Sequence, residues 1–323
     1  MAKATIIFTG GTIAMKKSAH VLGVMPAASG QELLSLLPKA STRNDVEVRQ
    51  FSNIPSGHML PKMMMKLARE IETCLKDEET AGVVVTCGTD TMEEISYLVD
   101  LVVDSPKPVV FTGAMRNLSD PDSDGPRNLL ASMMVAFDIK SRGMGTLVVM
   151  NDTIWAARDV TKLDTNNVDA FWSSQGPLGS VLQNKVIFFR APINRQHLPV
   201  QDLETRVDLI KVVSGSDDRY LRCSADGGAQ GVVIEALGCG NVPPAFFKGI
   251  LYVLRKGVAV VMTSRCLKGS VSNTYGYEGG GGQLASAGVI FAEGLSGPKA
   301  RIQLMVALGM PGGKEKLRDY FIN

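Results

Sequence analysis

Gly82-Val83-Val84-Val85-Thr86-Cys87-Gly88-Thr89-Asp90-Thr91-Met92-Glu93-Glu94-Ile95 is the stretch that decides the fold class. Residues 82–86 form a short β-branched run of the kind that is buried on both faces of a parallel sheet. Thr91-Met92-Glu93-Glu94 then has capping-box spacing ahead of an apolar face made by Ile95, Leu98 and Val102 at helical period. A strand, a tight polar turn and a helix in immediate succession make a βα unit, so the expected class is α/β.

The same pattern extends to both sides. Runs 4–9, 46–51, 108–112 and 146–151 read as further strands, and a loop and a helical pattern follow each of the first four strands in the chain. Residues 61–75 have periodic apolar positions, with Met63-Met64-Met65 read as helix core, and Asp124-Gly125-Pro126 reads as a helix start in which Asp124 caps the first amides. Residues 1–190 are therefore expected to form a larger N-terminal domain with a doubly wound, mostly parallel sheet. Residues 191–205, with Pro192 and Pro199 and no apolar period, are the expected linker. Residues 206–323 are expected to be a smaller C-terminal α/β domain, with strands at 207–213, 231–237 and 258–264 and a helix over 244–255.

Composition narrows the function classes. With 323 residues there is room for two cores, and 34 basic against 32 acidic residues give a formal charge of +2. No Lys/Arg run is dense enough to neutralise a phosphate backbone, so nucleic acid is not an expected partner. The longest apolar runs are far shorter than the ~20 residues that span a bilayer, and the first strand begins too early for an export signal, so neither a membrane nor secretion is expected. Cys74, Cys87, Cys223, Cys239 and Cys266 are widely spaced and contain no C-x-x-C pair, as suits reduced thiols in a cytoplasmic protein.

In open parallel sheets the chemistry sits just beyond the carboxyl ends of the strands. Three such turns stand out. Thr9-Gly10-Gly11-Thr12-Ile13-Ala14 could expose the Thr12 hydroxyl beside free amides able to hold an oxyanion, or it could be a glycine turn with Thr12 as a local cap. Cys87-Gly88-Thr89-Asp90-Thr91 sets a hydroxyl beside a carboxylate at a helix start, where Asp90 could hold an ammonium, or where Asp90 and Thr91 could simply cap the helix. Asn151-Asp152 through Lys162 reads as a polar loop in which Lys162 is either a general base or a solvated lysine. His20, His58 and His197 lie outside these turns, which argues against a Ser-His-Asp site, and no His/Cys spacing suggests a catalytic metal. Gly279 to Gly282 reads as a flexible loop.

Together with Phe111-Thr112-Gly113-Ala114-Met115-Arg116, Asp124-Gly125-Pro126 and Arg158-Asp159-Val160-Thr161-Lys162, these segments resemble the bacterial-type L-asparaginases of the asparaginase/glutaminase superfamily along nearly the whole chain. The resemblance implies a flavodoxin-like N-terminal domain and hydrolysis of L-asparagine to L-aspartate and ammonia with no cofactor. It implies Thr12 as nucleophile, Thr89 and Lys162 as a second hydroxyl and base pair, and Asp90 as the grip on the substrate α-ammonium. Ser56 falls where the family binds the substrate carboxylate, and Gly11 and Gly88 lie in the substrate-binding turns. Such enzymes are homotetramers of intimate dimers, which places Asn241, Tyr275 and Glu278 as candidates to complete a partner's site. Three departures stand out: Cys87 replaces a His common in relatives, Gly57 replaces a substrate-binding Gln, and the loop 15–23 is short and lacks a tyrosine. Two other functions fit less well: an amidase acting on an RNA-linked amide should carry a basic face, and a silent amino-acid sensor could dispense with Thr12 or Lys162.

Overall fold

A computed structural model describes residues 3–18, 22–37, 46–193 and 195–321. They divide into two compact units, Met1–His197 and Leu198–Asn323, and residues 191–205 contain no helix or strand among those described.

In the first unit the order is β1 (Lys3–Gly10), β2 (Met15–Lys17), β3 (Val24–Pro26), α1 (Gly30–Ser35), β4 (Val46–Ile54), α2 (Pro61–Lys76), β5 (Thr80–Thr86), α3 (Met92–Val102), β6 (Val109–Thr112) and α4 (Gly125–Phe137). Then come β7 (Thr146–Met150), β8 (Thr153–Ala156), β9 (Thr161–Lys162), β10 (Phe171–Trp172), β11 (Gly179–Leu182) and β12 (Lys185–Phe188). The main sheet has eight strands in the order β12-β11-β8-β7-β6-β5-β1-β4. All five strands expected from the sequence are present, and they pair in parallel as β4-β1-β5-β6-β7. Numbered by their place in the chain, these five run 2-1-3-4-5, the flavodoxin-like order, so the switch point lies between β1 and β5. Alternate residues serve the two faces: Ile6, Phe8, Val84 and Val110 pack with Leu33, Leu129 and Met133 in one cluster. Met64, Met65, Leu67 and Ile71 of α2 are also buried.

The structure corrects four local expectations in this unit. Residues 151–162 are not simply a polar loop: β8 pairs antiparallel with β7, and β11 and β12 extend the sheet beyond it, each antiparallel to the strand before it in the sheet. The turns Asn151-Asp152 and Gln183-Asn184 are two-residue hairpins with φ of 49°, 59°, 47° and 58°, a geometry usually marked by glycine and here supplied without it. Met15–Lys17, expected in a loop, instead pairs with Val24–Pro26; residues 19–21, including His20, lie outside those described. Thr91 precedes α3 without a side-chain capping bond, because its hydroxyl donates to the Ser56 carbonyl at 2.9 Å. Asp124 likewise makes no capping bond; its carboxylate accepts from the Met115 and Arg116 amides and from Asn128 Nδ2.

The second unit carries β13 (Val207–Lys211), α5 (Arg219–Asp226), β14 (Gly231–Ala236), α6 (Pro244–Arg255), β15 (Ala259–Ser264), α7 (Gly281–Ala287), β16 (Ile290–Phe291) and α8 (Gly297–Gly309). Its four strands are parallel in chain order, with Phe246, Ile250 and Val253 of α6 packed on Val232, Ile234 and Val260. The glycine run is no flexible loop. The Gly280 and Gly282 amides donate to the Tyr277 and Tyr275 carbonyls at 2.8 Å, and α7 starts at Gly281. Glycines permit that close approach, since a Cβ at Gly280 would lie 2.9 Å from the Tyr277 oxygen.

Candidate active site

The turns after β1 and β5, at the two sides of the switch point, meet backbone to backbone. Gly11 has φ +83°, and a Cβ there would overlap the Gly88 amide nitrogen and Cα. Only glycine permits this approach without displacing one turn. A Cβ on Gly88 would lie 2.8 Å from Ser56 Oγ, so the turn after β4 joins the same cluster. Hydrogen bonds fix all three: Thr9 Oγ1 donates to the Thr86 carbonyl at 2.8 Å, the Gly11 amide to the Ile54 carbonyl at 3.1 Å, and the Thr91 amide to Ser56 Oγ at 3.3 Å.

On this frame Thr12 opens a short 3-10 turn, Thr12–Ala14, and is half-buried. Thr89 is 5% exposed, and its Oγ1 accepts a hydrogen bond from Lys162 Nζ at 2.9 Å. Lys162 Nζ also donates to Asp90 Oδ1 at 2.7 Å. The lysine is not the solvated one that a polar loop suggests. It sits on β9, paired with Phe171 of β10, and its side chain is 16% exposed against 80% for Asp90. With Asp90 so open to water the ion pair adds little stability, and its effect is to aim the ammonium. Helix α3 begins at Met92, so Asp90 precedes its N-terminus and pairs with Lys162. Ser56 is 4% exposed, whereas Gly57 and His58 beside it are exposed, and a Cβ at Gly57 would meet nothing within 4 Å.

Cys87 is fully buried beneath the turn, and burial pushes its thiol up to about 12. Asn128, not singled out from the sequence, lies below the cluster at 1% exposure. Its Nδ2 donates to the Gly113 carbonyl at 3.0 Å and its Oδ1 accepts from the Asn151 amide at 3.0 Å, tying the turns after β6 and β7 together. The signal available for it was the pair Asp124 and Asn128, one helical turn apart at a helix start.

The remaining candidates belong to the second unit, where they share one surface. Asn241 Oδ1 accepts from the Gly281 amide at 3.3 Å, so this side chain already holds the start of α7. Val242 N donates to the Gly279 carbonyl at 2.9 Å, binding the loop of Asn241 to that of Tyr275 and Glu278. Glu278 is exposed, and Tyr275 and Tyr277 contact each other with ring centroids 5.5 Å apart.

Residues 3–194 match the family model for the asparaginase N-terminal domain, and residues 206–321 that for the glutaminase/asparaginase C-terminal domain. The chain belongs to the asparaginase family. It is 33% identical over 322 residues to an L-asparaginase of Bacillus licheniformis, covering 99% of this chain and 98% of the relative. It is 29% identical over 337 residues to a glutaminase-asparaginase of Pseudomonas fluorescens, covering 99% of this chain and 90% of that protein. A solved structure, the probable cytoplasmic L-asparaginase of Campylobacter jejuni, superimposes with a TM-score of 0.89 at 31% identity, covering 99% of both chains. The α/β architecture with a mostly parallel large sheet is thus shared with an asparaginase-family neighbour.

Proposed function

We propose that this asparaginase-family chain is an amidohydrolase that converts L-asparagine to L-aspartate and ammonia with Thr12 as nucleophile. Thr12 Oγ1 attacks the side-chain amide carbon, backbone amides of the Gly11 and Gly88 turns hold the developing oxyanion, and the C–N bond breaks to release ammonia. Water then hydrolyses the aspartyl ester. Lys162, held at 2.9 Å from Thr89 Oγ1, relays protons through that hydroxyl. Asp90 receives the substrate α-ammonium and Ser56 the α-carboxylate. The observation that carries this reading is the convergence at the sheet's switch point of the Thr12 turn with Thr89, Asp90 and Lys162. Ammonia release measured with asparagine and glutamine side by side tests it. Asparagine is expected to be preferred, since one extra methylene in a clamped pocket is worth about 1–3 kcal/mol, and Thr12→Ala is expected to be inactive but folded. Near-native turnover in folded Thr12→Ala removes the nucleophile assignment.

Residues 1–190 form the catalytic domain in this reading, joined by the linker 191–205 to a C-terminal domain that completes a partner's site. The exposed Tyr275 and Glu278, with Asn241 half-buried in the adjoining loop, support a homotetramer of intimate dimers. Mixing Thr12→Ala subunits with subunits carrying Asn241→Ala should then restore activity, whereas full activity in a proven monomer rules the shared site out. A cytoplasmic location is supported by the five free thiols and by the named location of the Campylobacter jejuni neighbour.

A further inference from the structure

Lys162 is held by very little regular structure. Strands β9 and β10 have two residues each, and their ladder consists of Lys162 opposite Phe171 and Thr161 opposite Trp172. So short a hairpin is marginal by itself, and its geometry depends on how its loop is closed. The loop 163–170 closes in two ways. The Leu163 amide donates to the Ala170 carbonyl at 2.7 Å. The Asp164 carboxylate then accepts from two successive loop amides, Asn166 at 2.7 Å and Asn167 at 2.8 Å, through the same Oδ1. Asn167 Oδ1 adds a bond from the Asp169 amide at 3.0 Å. An Asx-type closure of this kind replaces the backbone bonds that a longer ladder would supply. These amide bonds, together with the nearby Lys162 ammonium, hold the Asp164 carboxyl below the usual carboxylate range.

We infer that Asp164 is a positioning residue of the active site: it fixes the loop from which Lys162 reaches Thr89. The inference rests on the reading that Lys162 serves the reaction. Asp164 is exposed and packs into no core, so its loss should leave the fold standing. What changes is the aim of a side chain two residues away. A displacement on the order of 1 Å in a catalytic group can cost up to about a hundredfold in rate.

Three variants of the full chain test this: Asp164→Ala, Asp164→Asn and Lys162→Met, each assayed for kcat and KM with L-asparagine and for thermal melting. Asp164→Ala is expected to lose about tenfold in kcat with KM within about twofold, because aim rather than substrate binding is disturbed. Asp164→Asn keeps an oxygen acceptor for the two amides and should recover most of kcat. Hydrogen exchange at the Asn166 and Asn167 amides should be faster in Asp164→Ala than in Asp164→Asn. If Asp164→Ala keeps native kcat while Lys162→Met is inactive, the positioning role is overturned and the reading of Lys162 stands. If both Asp164 variants lose kcat equally, the two amide bonds are not the cause and the inference fails. Native kcat in Lys162→Met instead overturns the parent reading.

Discussion

Thr89 and Lys162 share one hydrogen bond, yet the protein holds them by opposite means. Thr89 follows β5, a strand paired on both sides within the sheet, and its turn is pinned by the Cys87 amide donating to the Thr112 carbonyl and by the glycine contact with the Gly11 turn. Lys162 stands on a two-residue strand whose loop is closed by a backbone bond from Leu163 to Ala170 and by the Asp164 side chain. The first arrangement draws its rigidity from the core and the second from a few polar bonds at the surface. Core packing places a group firmly, whereas a surface hairpin leaves its placement open to single substitutions that cost almost no stability.

The largest expected effect removes the shared bond itself. Thr89→Val and Lys162→Met should each lower kcat by at least about a hundredfold, with melting temperatures near that of the parent protein. Steady-state kinetics beside thermal melts would show this, and an active Thr89→Val would remove Thr89 from the chemistry.

A second substitution probes the core-held side. Gly11→Ala places a Cβ at φ +83° against the Gly88 backbone and should cost about 1–3 kcal/mol of stability from strain, together with much of the activity. Asn166→Gly in the exposed hairpin loop should shift stability by no more than about 0.5 kcal/mol. Denaturant titration of the pair sharpens the comparison, and equal losses of stability would abolish it.

The smallest effect is expected at Cys87. Its thiol, pushed up to about 12 by burial, stays protonated and unreactive at neutral pH, so thiol reagents should modify the exposed Cys223, Cys239 and Cys266 with little inhibition. Cys87→Ser should retain most activity. Rapid inactivation of the parent protein that Cys87→Ser escapes would assign this thiol a larger part.

The contrast also explains what the sequence made legible. Runs such as Val83-Val84-Val85 announce buried parallel strands, and the glycine turns after them announce close backbone approach, so the parallel sheet and the Thr12 and Thr89 turns could be read directly. The antiparallel edge could not, because its strands have four residues and its turns reach positive φ with Asn, Asp and Gln where glycine is the usual signal. Thr91 and Asp124 carried correct helix-start patterns but spend their side chains on the Ser56 carbonyl and on the Met115 and Arg116 amides. Local pattern cannot reveal a competing partner brought in by tertiary structure. Asn128 left little trace for the same reason, since it bonds backbone groups that become neighbours only after folding, whereas Asp164 bonds amides two and three residues away and what the sequence hid was the hairpin that its turn closes.

The span of chain that separates these neighbours bears on how the protein comes alive. Thr89 and Lys162 are 73 residues apart, and Ser56 and Thr91 are 35 apart. Pairings over such distances are slow to close and gain nothing until the intervening strands have docked. A nascent chain carries Thr12 and Thr89 long before it carries Lys162, and its helices can form while the site is still in pieces. During refolding, helical signal should therefore return first and ammonia release last, since turnover waits for the N-terminal sheet, for the hairpin that carries Lys162 and for the partner's contribution to the site.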